Sequence, residues 1–212
     1  MLGGGGETER EGRTGHDSKG VAAMSEDRIA KLVSRAEAEG LVDVAYAGVD
    51  SPIGTLTVVA TDKGLMRVMF DREDRDTALG EIADRVSPRV LESPARLDTV
   101  RRELEEYFEG RRQEFDLPLD WAMVPSPFRR RVLEHTALIP YGQLETYRDV
   151  AVAAGNVKAV RATGGALGSN PIPVVVPCHR VVGSDGRLTG YAGGLDIKRY
   201  LLAHEGTGGT LF

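Results

Sequence analysis

The pattern of apolar residues divides the chain near Trp121 into a part with both strand-like and helical spacing and a part that is mostly helical, and this division limits the fold more than any other feature. Before it, three runs rich in β-branched residues lie between positions 42 and 70, separated by turn-forming residues, which predicts three strands. Helical spacing follows over 74–86 and 94–109. The pattern after Trp121 is mostly helical. We therefore predict an α+β protein with its strands in the N-terminal part.

The second half contains four predicted helices, over 127–138, 147–153, 157–168 and 195–205. The middle two are short and flank a glycine turn, which is the pattern of a DNA-binding helix-turn-helix. A plain helical hairpin in a core has the same pattern, so spacing alone leaves both interpretations open. The apolar run 174–176 predicts a buried strand that ends next to the cysteine.

The first residues of the chain have a different composition. Residues 1–23 are rich in glycine and charge, so they bury too little apolar surface to fold, and we expect them to be disordered. Met24 is a candidate biological start. Residues 25–39 then predict a short amphipathic helix, with Ser25 as its cap. The predicted organisation is a tail and helix over 1–42, an N-terminal α/β domain over 43–117 and a C-terminal domain over 118–212.

Charge and cysteine content restrict the function. The net charge of −5 argues against a nucleic-acid partner, but from Trp121 onward 10 Lys and Arg outnumber 6 Asp and Glu. That asymmetry suits a DNA-facing C-terminal part. A single cysteine makes no internal disulfide and no cysteine-based zinc site. No apolar run is long enough for a membrane span, and the N-terminus lacks an apolar signal core, so we expect a cytoplasmic protein.

Cys178 is the single cysteine. A lone cysteine is usually an inert buried residue, but its setting here favours a reactive one. His179 is adjacent, and the cations Arg180 and Lys198 lie near in sequence, where they are expected to favour the thiolate. Glu205, at the end of the last predicted helix, is placed to orient the imidazole. Because neighbours in an extended segment point to opposite sides, a bridging water is the natural link from the thiol to His179.

Several motifs around this cysteine resemble those of the O6-alkylguanine-DNA alkyltransferase family, strongly over 104–206 and only in style over 43–103. The motifs nearest the cysteine are Pro177-Cys178-His179-Arg180-Val181-Val182, Gly190-Tyr191-Ala192-Gly193-Gly194, Lys198 and Leu201-Leu202-Ala203-His204-Glu205-Gly206. Upstream are Ile139-Pro140-Tyr141-Gly142, Thr146-Tyr147, Arg161-Ala162 and Asn170-Pro171. The resemblance implies a ribonuclease H-like N-terminal domain and a helix-turn-helix in a mostly helical C-terminal domain.

The resemblance also implies a chemistry. Cys178 would be the nucleophile and permanent alkyl acceptor. Glu205 would orient His179, which would take the thiol proton through a water. Tyr147 would lie beside the flipped nucleotide and donate a hydrogen bond to the guanine oxygen as it leaves, and Lys198 would support the site.

The contacts to DNA follow from the same resemblance. Arg161 would enter the base stack and fill the space left by the flipped guanine, because the reacting oxygen is out of reach inside a duplex. Asn170 would tie the helix pair to the active-site segment. The implied DNA-binding residues are Thr146, Tyr147, Arg161, Ala162, Gly164 and Asn170. The implied guanine pocket consists of Asn170, Val181, Tyr191 and Ala192.

The function implied is DNA repair by irreversible, stoichiometric transfer of an alkyl group from O6-alkylguanine in double-stranded DNA. O4-alkylthymine is a second candidate substrate. We expect a monomer without a cofactor, and no metal because the N-terminal cysteines that bind zinc in some relatives are missing. Three other interpretations remain: a lesion-binding module without transfer, which the presence of Cys178 disfavours, a cysteine hydrolase with turnover, and a regulatory protein that carries this domain.

Overall fold

A computed structural model describes residues 26–207, and its elements confirm the α+β class. The predictions for the tail, for Met24 and for the Ser25 cap lie outside the described residues. The N-terminal elements are α1 (Glu26–Ala38), β1 (Val44–Val49), β2 (Leu56–Thr61), β3 (Gly64–Met69), α2 (Arg75–Arg85), β4 (Val90–Glu92) and α3 (Asp98–Phe108). The later elements are α4 (Pro127–Thr136), β5 (Glu145–Thr146), α5 (Tyr147–Ala153), α6 (Val160–Gly168), β6 (Val181–Val182) and α7 (Leu195–His204).

The N-terminal strands form one sheet in the order β3-β2-β1-β4. β1 and β2 pair antiparallel, as do β2 and β3, whereas β4 pairs with β1 in parallel. The strand β4 was not predicted, since its three residues are too few to show an alternating pattern. At the opposite edge, β3 remains free to bond to the rest of the chain.

The sheet is covered on both faces. On one face Val59 and Met66 pack against Ala78 and Ile82 of α2. The other face joins a large core that continues into the C-terminal helices and includes Cys178. The strands are therefore buried on both sides, which explains why β-branched and other apolar residues fill them almost without interruption.

The edge strand β3 is hydrogen-bonded to two later segments of the chain, one at Pro118 and one at Pro171, and the second of these leads to Cys178. Leu65 donates its backbone N–H to the carbonyl of Pro118 at 2.8 Å, and Val68 donates to the carbonyl of Pro171 at 2.8 Å. A Cβ atom at Gly64 would lie 2.1 Å from the Pro118 oxygen, so this approach requires glycine. The sheet thereby positions the segment that leads to Cys178.

Two predictions for the C-terminal half require correction. Helix α6 begins at Val160, later than the predicted 157, because residues 157–159 form a turn. The run 174–176 is a buried turn rather than a strand. Prolines at 173 and 177 flank it, and a proline has no N–H to donate to a strand ladder. No helix among the described residues is long and apolar enough to cross a membrane.

Candidate active site

The turn that leads to Cys178 has an unusual backbone. Val174 is buried and has a φ of 73°, a left-handed conformation that costs a β-branched residue about 1–3 kcal/mol. The side chain of Asn170 spans this turn, accepting from the N–H of Ile172 at 3.0 Å and donating to the carbonyl of Val176 at 2.8 Å. Asn170 and the flanking prolines thus hold the strained turn in place.

Cys178 begins a short 3₁₀ turn, Cys178–Arg180, in place of the extended segment predicted. Its side chain is buried, and Asn170 Nδ2 donates a hydrogen bond to Sγ at 3.1 Å. Burial raises the pKa of the thiol to about 11, although the Asn170 hydrogen bond and the charge of Lys198 both lower it. Desolvation therefore outweighs the Asn170 hydrogen bond and the charge of Lys198 together, and Cys178 is a thiol at neutral pH in the DNA-free molecule.

His179 and Glu205 form a buried pair, with 2.8 Å between Nε2 and Oε1. Burial lowers the pKa of His179 more than the bond to Glu205 raises it, so the imidazole is neutral at neutral pH. A neutral imidazole that donates from Nε2 has its lone pair on Nδ1. The Nδ1 atom is buried and has no hydrogen-bond partner within residues 26–207. It is therefore free to accept a proton.

The Glu205 carboxylate has further donors. Arg180 donates from Nε to Oε2 at 2.8 Å and from Nη2 to Oε1 at 2.9 Å. Tyr107 donates its hydroxyl hydrogen to Oε1 at 2.7 Å, and the N–H of Gly142 donates to Oε2 at 3.3 Å. Burial by itself would raise the pKa of Glu205, but the hydrogen bonds from His179 and Arg180 outweigh it and hold the pKa well below its usual value. Glu205 thus remains a carboxylate.

Contrary to our expectation, Arg180 is therefore not a cation that favours the Cys178 thiolate. Its guanidinium is used by Glu205 and by the carbonyl of Ile139. Lys198 is the cation that acts on the sulfur, and its charge is held by a 2.6 Å hydrogen bond from Nζ to the carbonyl of Val181. Burial lowers the pKa of Lys198 to about 8, while the nearby Cys178 raises it.

We call the 3₁₀ turn Cys178–Arg180 the reactive turn. A cavity of about 490 Å³ lies at the surface between the helices α5 and α6 and the loop 189–192, which follows that turn in the sequence. Thr189 donates its hydroxyl hydrogen to the Tyr147 oxygen at 2.6 Å across this cavity, and the Tyr191 ring lies edge-on to His179 with 6.5 Å between centroids. The cavity therefore adjoins the buried His179. It is lined by Tyr147, Gly164, Gly168, Thr189, Gly190, Tyr191 and Ala192.

The N-terminal part contacts the same loop. Phe70 lies edge-on to Tyr191 with 5.9 Å between ring centroids, and a Cβ at Gly193 would come within 2.9 Å of the Phe70 ring. Arg72 and Asp196 form an exposed salt bridge of 3.2 Å. These contacts fix the loop that forms one wall of the cavity.

The helix pair α5 and α6 forms the other wall. Thr146 caps α5 through a reciprocal capping box with Asp149. In α6, Arg161 and Ala162 are exposed, and Gly164 lies beside the Tyr147 ring. β5 pairs in parallel with β6, which brings the start of α5 beside the residues that follow the reactive turn. The cavity and the exposed α6 residues consequently lie on adjoining parts of the surface.

The structure gathers the sequence-derived site residues into two sets. Asn170, Cys178, His179, Val181, Lys198 and Glu205 are buried. Tyr147, Arg161, Ala162, Gly164, Tyr191 and Ala192 are at the surface or line the cavity. Within residues 26–207, no three side chains of His, Cys, Asp or Glu are grouped as a metal site would require.

Sequence reasoning missed two contributors to the buried set. Arg180 was noted as a nearby charge but not as a partner of Glu205. Tyr107 was not considered, since it lies 98 residues before Glu205 and no motif links them. For Arg180 the signal in the sequence was its place two residues after the cysteine, within the motif Pro177–Val182. For Tyr107 the sequence offered none.

The fold and site define an α+β protein with a buried cysteine, followed directly by a histidine that is hydrogen-bonded to a buried carboxylate, near an open cavity. Residues 127–207 match the family described as 6-O-methylguanine DNA methyltransferase, DNA binding domain. Residues 44–121 match 6-O-methylguanine DNA methyltransferase, ribonuclease-like domain. The chain belongs to this family.

Individual relatives agree with this assignment. The methylated-DNA--protein-cysteine methyltransferase of Methanosarcina barkeri is 39% identical over 160 residues, which cover 76% of this chain and 96% of that protein. The crystal structure of the Mycobacterium tuberculosis O6-methylguanine methyltransferase is similar with a TM-score of 0.67 at 36% identity, covering 76% and 92% of the two chains. The M. tuberculosis OGT in complex with DNA is similar with a TM-score of 0.65, at the same identity and coverage.

Proposed function

We propose that this protein repairs DNA by transferring an alkyl group irreversibly from the O6 atom of guanine in duplex DNA to Cys178. The observation that carries the proposal is the buried pair of His179 and Glu205 next to that cysteine, with Nδ1 of His179 unpartnered within residues 26–207. A buried, neutral imidazole with a free lone pair is a suitable base for a thiol whose own pKa is too high to ionise unaided. Membership in the methyltransferase family supports the same reaction.

In the proposed reaction, the thiol proton moves through a water to Nδ1 of His179, and Glu205 stabilises the imidazolium that results. The sulfur then attacks the alkyl carbon, forming an S–C bond as the C–O6 bond breaks. The electrons of that bond remain on guanine, which takes up one proton, balancing the one that the thiol lost, and stays in the DNA as the unmodified base. Tyr147 donates a hydrogen bond to the departing oxygen, and Lys198 balances the charge of the sulfur. The thioether is stable, so each molecule acts once.

DNA is the partner, and we propose that the reacting nucleotide enters the 490 Å³ cavity. A guanine in a duplex must leave the stack before a protein sulfur can reach its O6 substituent, at a cost of a few kcal/mol. Arg161 is exposed on α6 and fills the vacated space in this proposal, while Ala162 and Gly164 permit close approach to the backbone. The remaining assignments are Thr146 and Asn170 for DNA contacts, and Asn170, Val181, Tyr191 and Ala192 for the guanine.

The decisive experiment measures the intact mass of the protein after incubation with a duplex that contains one O6-methylguanine. We expect a gain of one methyl group per molecule, and no gain for Cys178→Ser, which changes one atom in the site. Tight binding without a mass change would replace the proposal with a lesion-binding module. Repeated turnover of an ester or peptide would replace it with a cysteine hydrolase.

We further propose that the protein acts as a cytoplasmic monomer without a cofactor, with a tail and helix over 1–42 and domains over 43–117 and 118–212. Sedimentation of the free protein and of its complex with a short duplex tests the stoichiometry. A mass of two chains for the free protein would exclude the monomer. A duplex that contains O4-methylthymine, used in the same mass assay, tests the second substrate.

A further inference from the structure

One of the hydrogen bonds to the Glu205 carboxylate comes from a side chain far away in the sequence. The hydroxyl of Tyr107, on α3, donates to Oε1 of Glu205 at 2.7 Å. Tyr107 lies in the part of the chain that matches the ribonuclease-like domain, whereas Glu205 lies in the part that matches the DNA-binding domain. The acid–base pair is therefore completed by a side chain from the other domain.

Tyr107 is held firmly in this position. Its side chain is fully buried, and its ring packs against those of Phe115, Tyr141 and His204, with centroids 5.3, 6.2 and 5.1 Å away. His204 Nε2 also bonds to the Tyr107 carbonyl at 2.7 Å. Burial and then the charge of Glu205 raise the pKa of the Tyr107 hydroxyl far above its usual value, so it remains a donor. The hydroxyl thus faces Glu205 as a fixed neutral donor.

The hydrogen bond affects His179 through the oxygen that both share. Oε1 of Glu205 accepts from Tyr107, from His179 Nε2 and from Arg180 Nη2. Each donor stabilises part of the negative charge of the carboxylate. Less of that charge then remains to stabilise an imidazolium at His179. A donor added to this oxygen consequently makes His179 a weaker base, and a donor removed makes it a stronger one.

We propose that Tyr107 is a positioning residue that holds the Glu205 carboxylate and takes up part of its charge, so that His179 stays neutral and Cys178 stays a thiol in the free protein. The inference rests on the proposed function for its significance, because a thiol that is consumed in one reaction is better preserved if it ionises only with its substrate bound. Its test does not require alkyl transfer, since the state of the thiol can be measured directly.

Other titratable and charged groups face this pair, and the test must keep them constant. Lys198 has a pKa of about 8, so it changes charge during a titration of Cys178, and every variant that is compared must retain it. The groups come from the loop after α4, the reactive turn, the loop before α7 and α7 itself. They are Tyr141, Cys178, Arg180, Tyr191, Lys198 and His204.

The test is Tyr107→Phe, which removes the hydroxyl and keeps the ring. The matched control is Tyr141→Phe, because the Tyr141 hydroxyl belongs to the same aromatic cluster but donates to the carbonyl of His204 at 3.0 Å and not to Glu205. Ultraviolet absorbance of the thiolate gives the ionisation midpoint of Cys178, with Cys178→Ser as the blank. The chain has one cysteine, so no other thiol contributes.

We expect Tyr107→Phe to lower the Cys178 midpoint by about half to one pH unit, which corresponds to roughly three- to tenfold more thiolate at a given pH below it. Tyr141→Phe should leave the midpoint unchanged. An unchanged or raised midpoint in Tyr107→Phe overturns the proposal, as does an equal fall in both variants. Circular dichroism at each pH ensures that only folded protein is compared, because unfolding also lowers the midpoint.

A second variant covers the case in which Tyr107→Phe does not fold. Replacing Tyr107 alone with 3-fluorotyrosine keeps the ring and the hydrogen bond but makes the hydroxyl a stronger donor. The Cys178 midpoint should then rise, opposite to the effect of phenylalanine, and a fall or no change contradicts the proposal. The methyl-transfer assay on the unmodified protein is separate, so a failure of the proposed function would not be mistaken for a failure of this inference.

Discussion

Asn170 Nδ2 lies 3.1 Å from Cys178 Sγ and donates a hydrogen bond to it. The same amide group donates to the carbonyl of Val176 and accepts from the N–H of Ile172. One side chain thus both closes the strained turn at Val174 and contacts the reacting sulfur. The amide nitrogen makes the bonds to Val176 and to the sulfur, whereas the amide oxygen bonds only to Ile172, so a substitution can remove the bonds of the nitrogen and keep that of the oxygen.

Asn170→Asp keeps the shape and the acceptor oxygen but replaces the donor with a second oxygen. The carbonyl of Val176 then keeps the N–H of Cys178 as a donor but faces a carboxylate oxygen in place of the amide N–H, and we expect a loss of stability of about 1–3 kcal/mol. The sulfur loses its hydrogen bond and gains a nearby negative charge, so the pKa of Cys178 should rise further and methyl transfer should slow at least about tenfold. Urea unfolding and single-turnover kinetics measure the two effects.

The control is Asn156→Asp, in an exposed turn where the side-chain oxygen likewise accepts from a backbone N–H two residues later. That variant should match the unsubstituted protein in both measurements. Transfer by Asn170→Asp at the normal rate would show that the hydrogen bond to Sγ is irrelevant to the chemistry.

The pH dependence of stability should carry the signature of the buried thiol. The folded-state pKa of about 11 lies above the ordinary value of 9.0, so the contribution of the thiol is complete below pH 9 and is lost as the pH rises toward 11. We expect the free energy of unfolding to fall over this interval more steeply than in Cys178→Ser. Parallel curves for the two proteins would show that the pKa of Cys178 is not raised.

Two arginines that each pair with a carboxylate should differ greatly in what they contribute to stability. Arg180 and Glu205 are buried, with side chains 6% and 0% exposed, and Arg180→Met leaves the carboxylate without its cation. We expect a loss of about 3–5 kcal/mol. Arg72 and Asp196 are 49% and 70% exposed, so Arg72→Met should cost about 1 kcal/mol or less. Denaturant unfolding tests both, and equal losses would contradict the role given to burial.

Arg161 offers a test of the DNA-binding face. It is exposed and has no hydrogen bond or ion pair within residues 26–207, so Arg161→Ala should change stability by less than about 0.5 kcal/mol. Methyl transfer from duplex DNA should slow at least about tenfold, because nothing fills the space left by the flipped nucleotide. Transfer from the free base O6-methylguanine should be unaffected. An equal loss with both substrates would place Arg161 in the chemistry instead.

The sequence predicted those parts of the site that are close together along the chain or carried by a motif. Cys178 and His179 are adjacent, and Glu205 belongs to a motif at the end of the last helix. The contact of Tyr107 with Glu205 arises from the packing of α3 against the C-terminal helices, and apolar spacing shows which face of α3 is buried but not what that face touches. Long-range contacts of this kind leave no local signal.

The errors in the fold have local causes. Three consecutive valines at 174–176 favour a strand by composition, but the turn around them is held by an asparagine side chain and flanked by prolines. β propensity describes a fit to a pleated surface, and it is overridden where the chain must turn inside the core. The direction of the Cys178 pKa was wrong for a related reason, because charges can be counted in a sequence whereas burial depends on the fold.

Two threonines are equally buried but differ in hydrogen bonding, so together they test how a hydrogen bond changes what a buried hydroxyl contributes to stability. Thr163 in α6 and Thr136 in α4 are both 0% exposed. The Thr136 hydroxyl donates to the carbonyl of Val132 at 2.7 Å, whereas the Thr163 hydroxyl has no partner within residues 26–207. An unpaired buried hydroxyl costs about 1–3 kcal/mol, and a paired one contributes about 0.5–1.5 kcal/mol.

Valine has nearly the shape of threonine without the hydroxyl, so the two substitutions should have opposite signs. We expect Thr163→Val to raise the free energy of unfolding by about 1 kcal/mol and Thr136→Val to lower it by a similar amount. Urea unfolding of both variants gives the comparison, and methyl transfer should persist in Thr163→Val because its side chain faces the core and not the cavity. Destabilisation by Thr163→Val would mean that its hydroxyl does have a partner, and a bound water would then be the candidate.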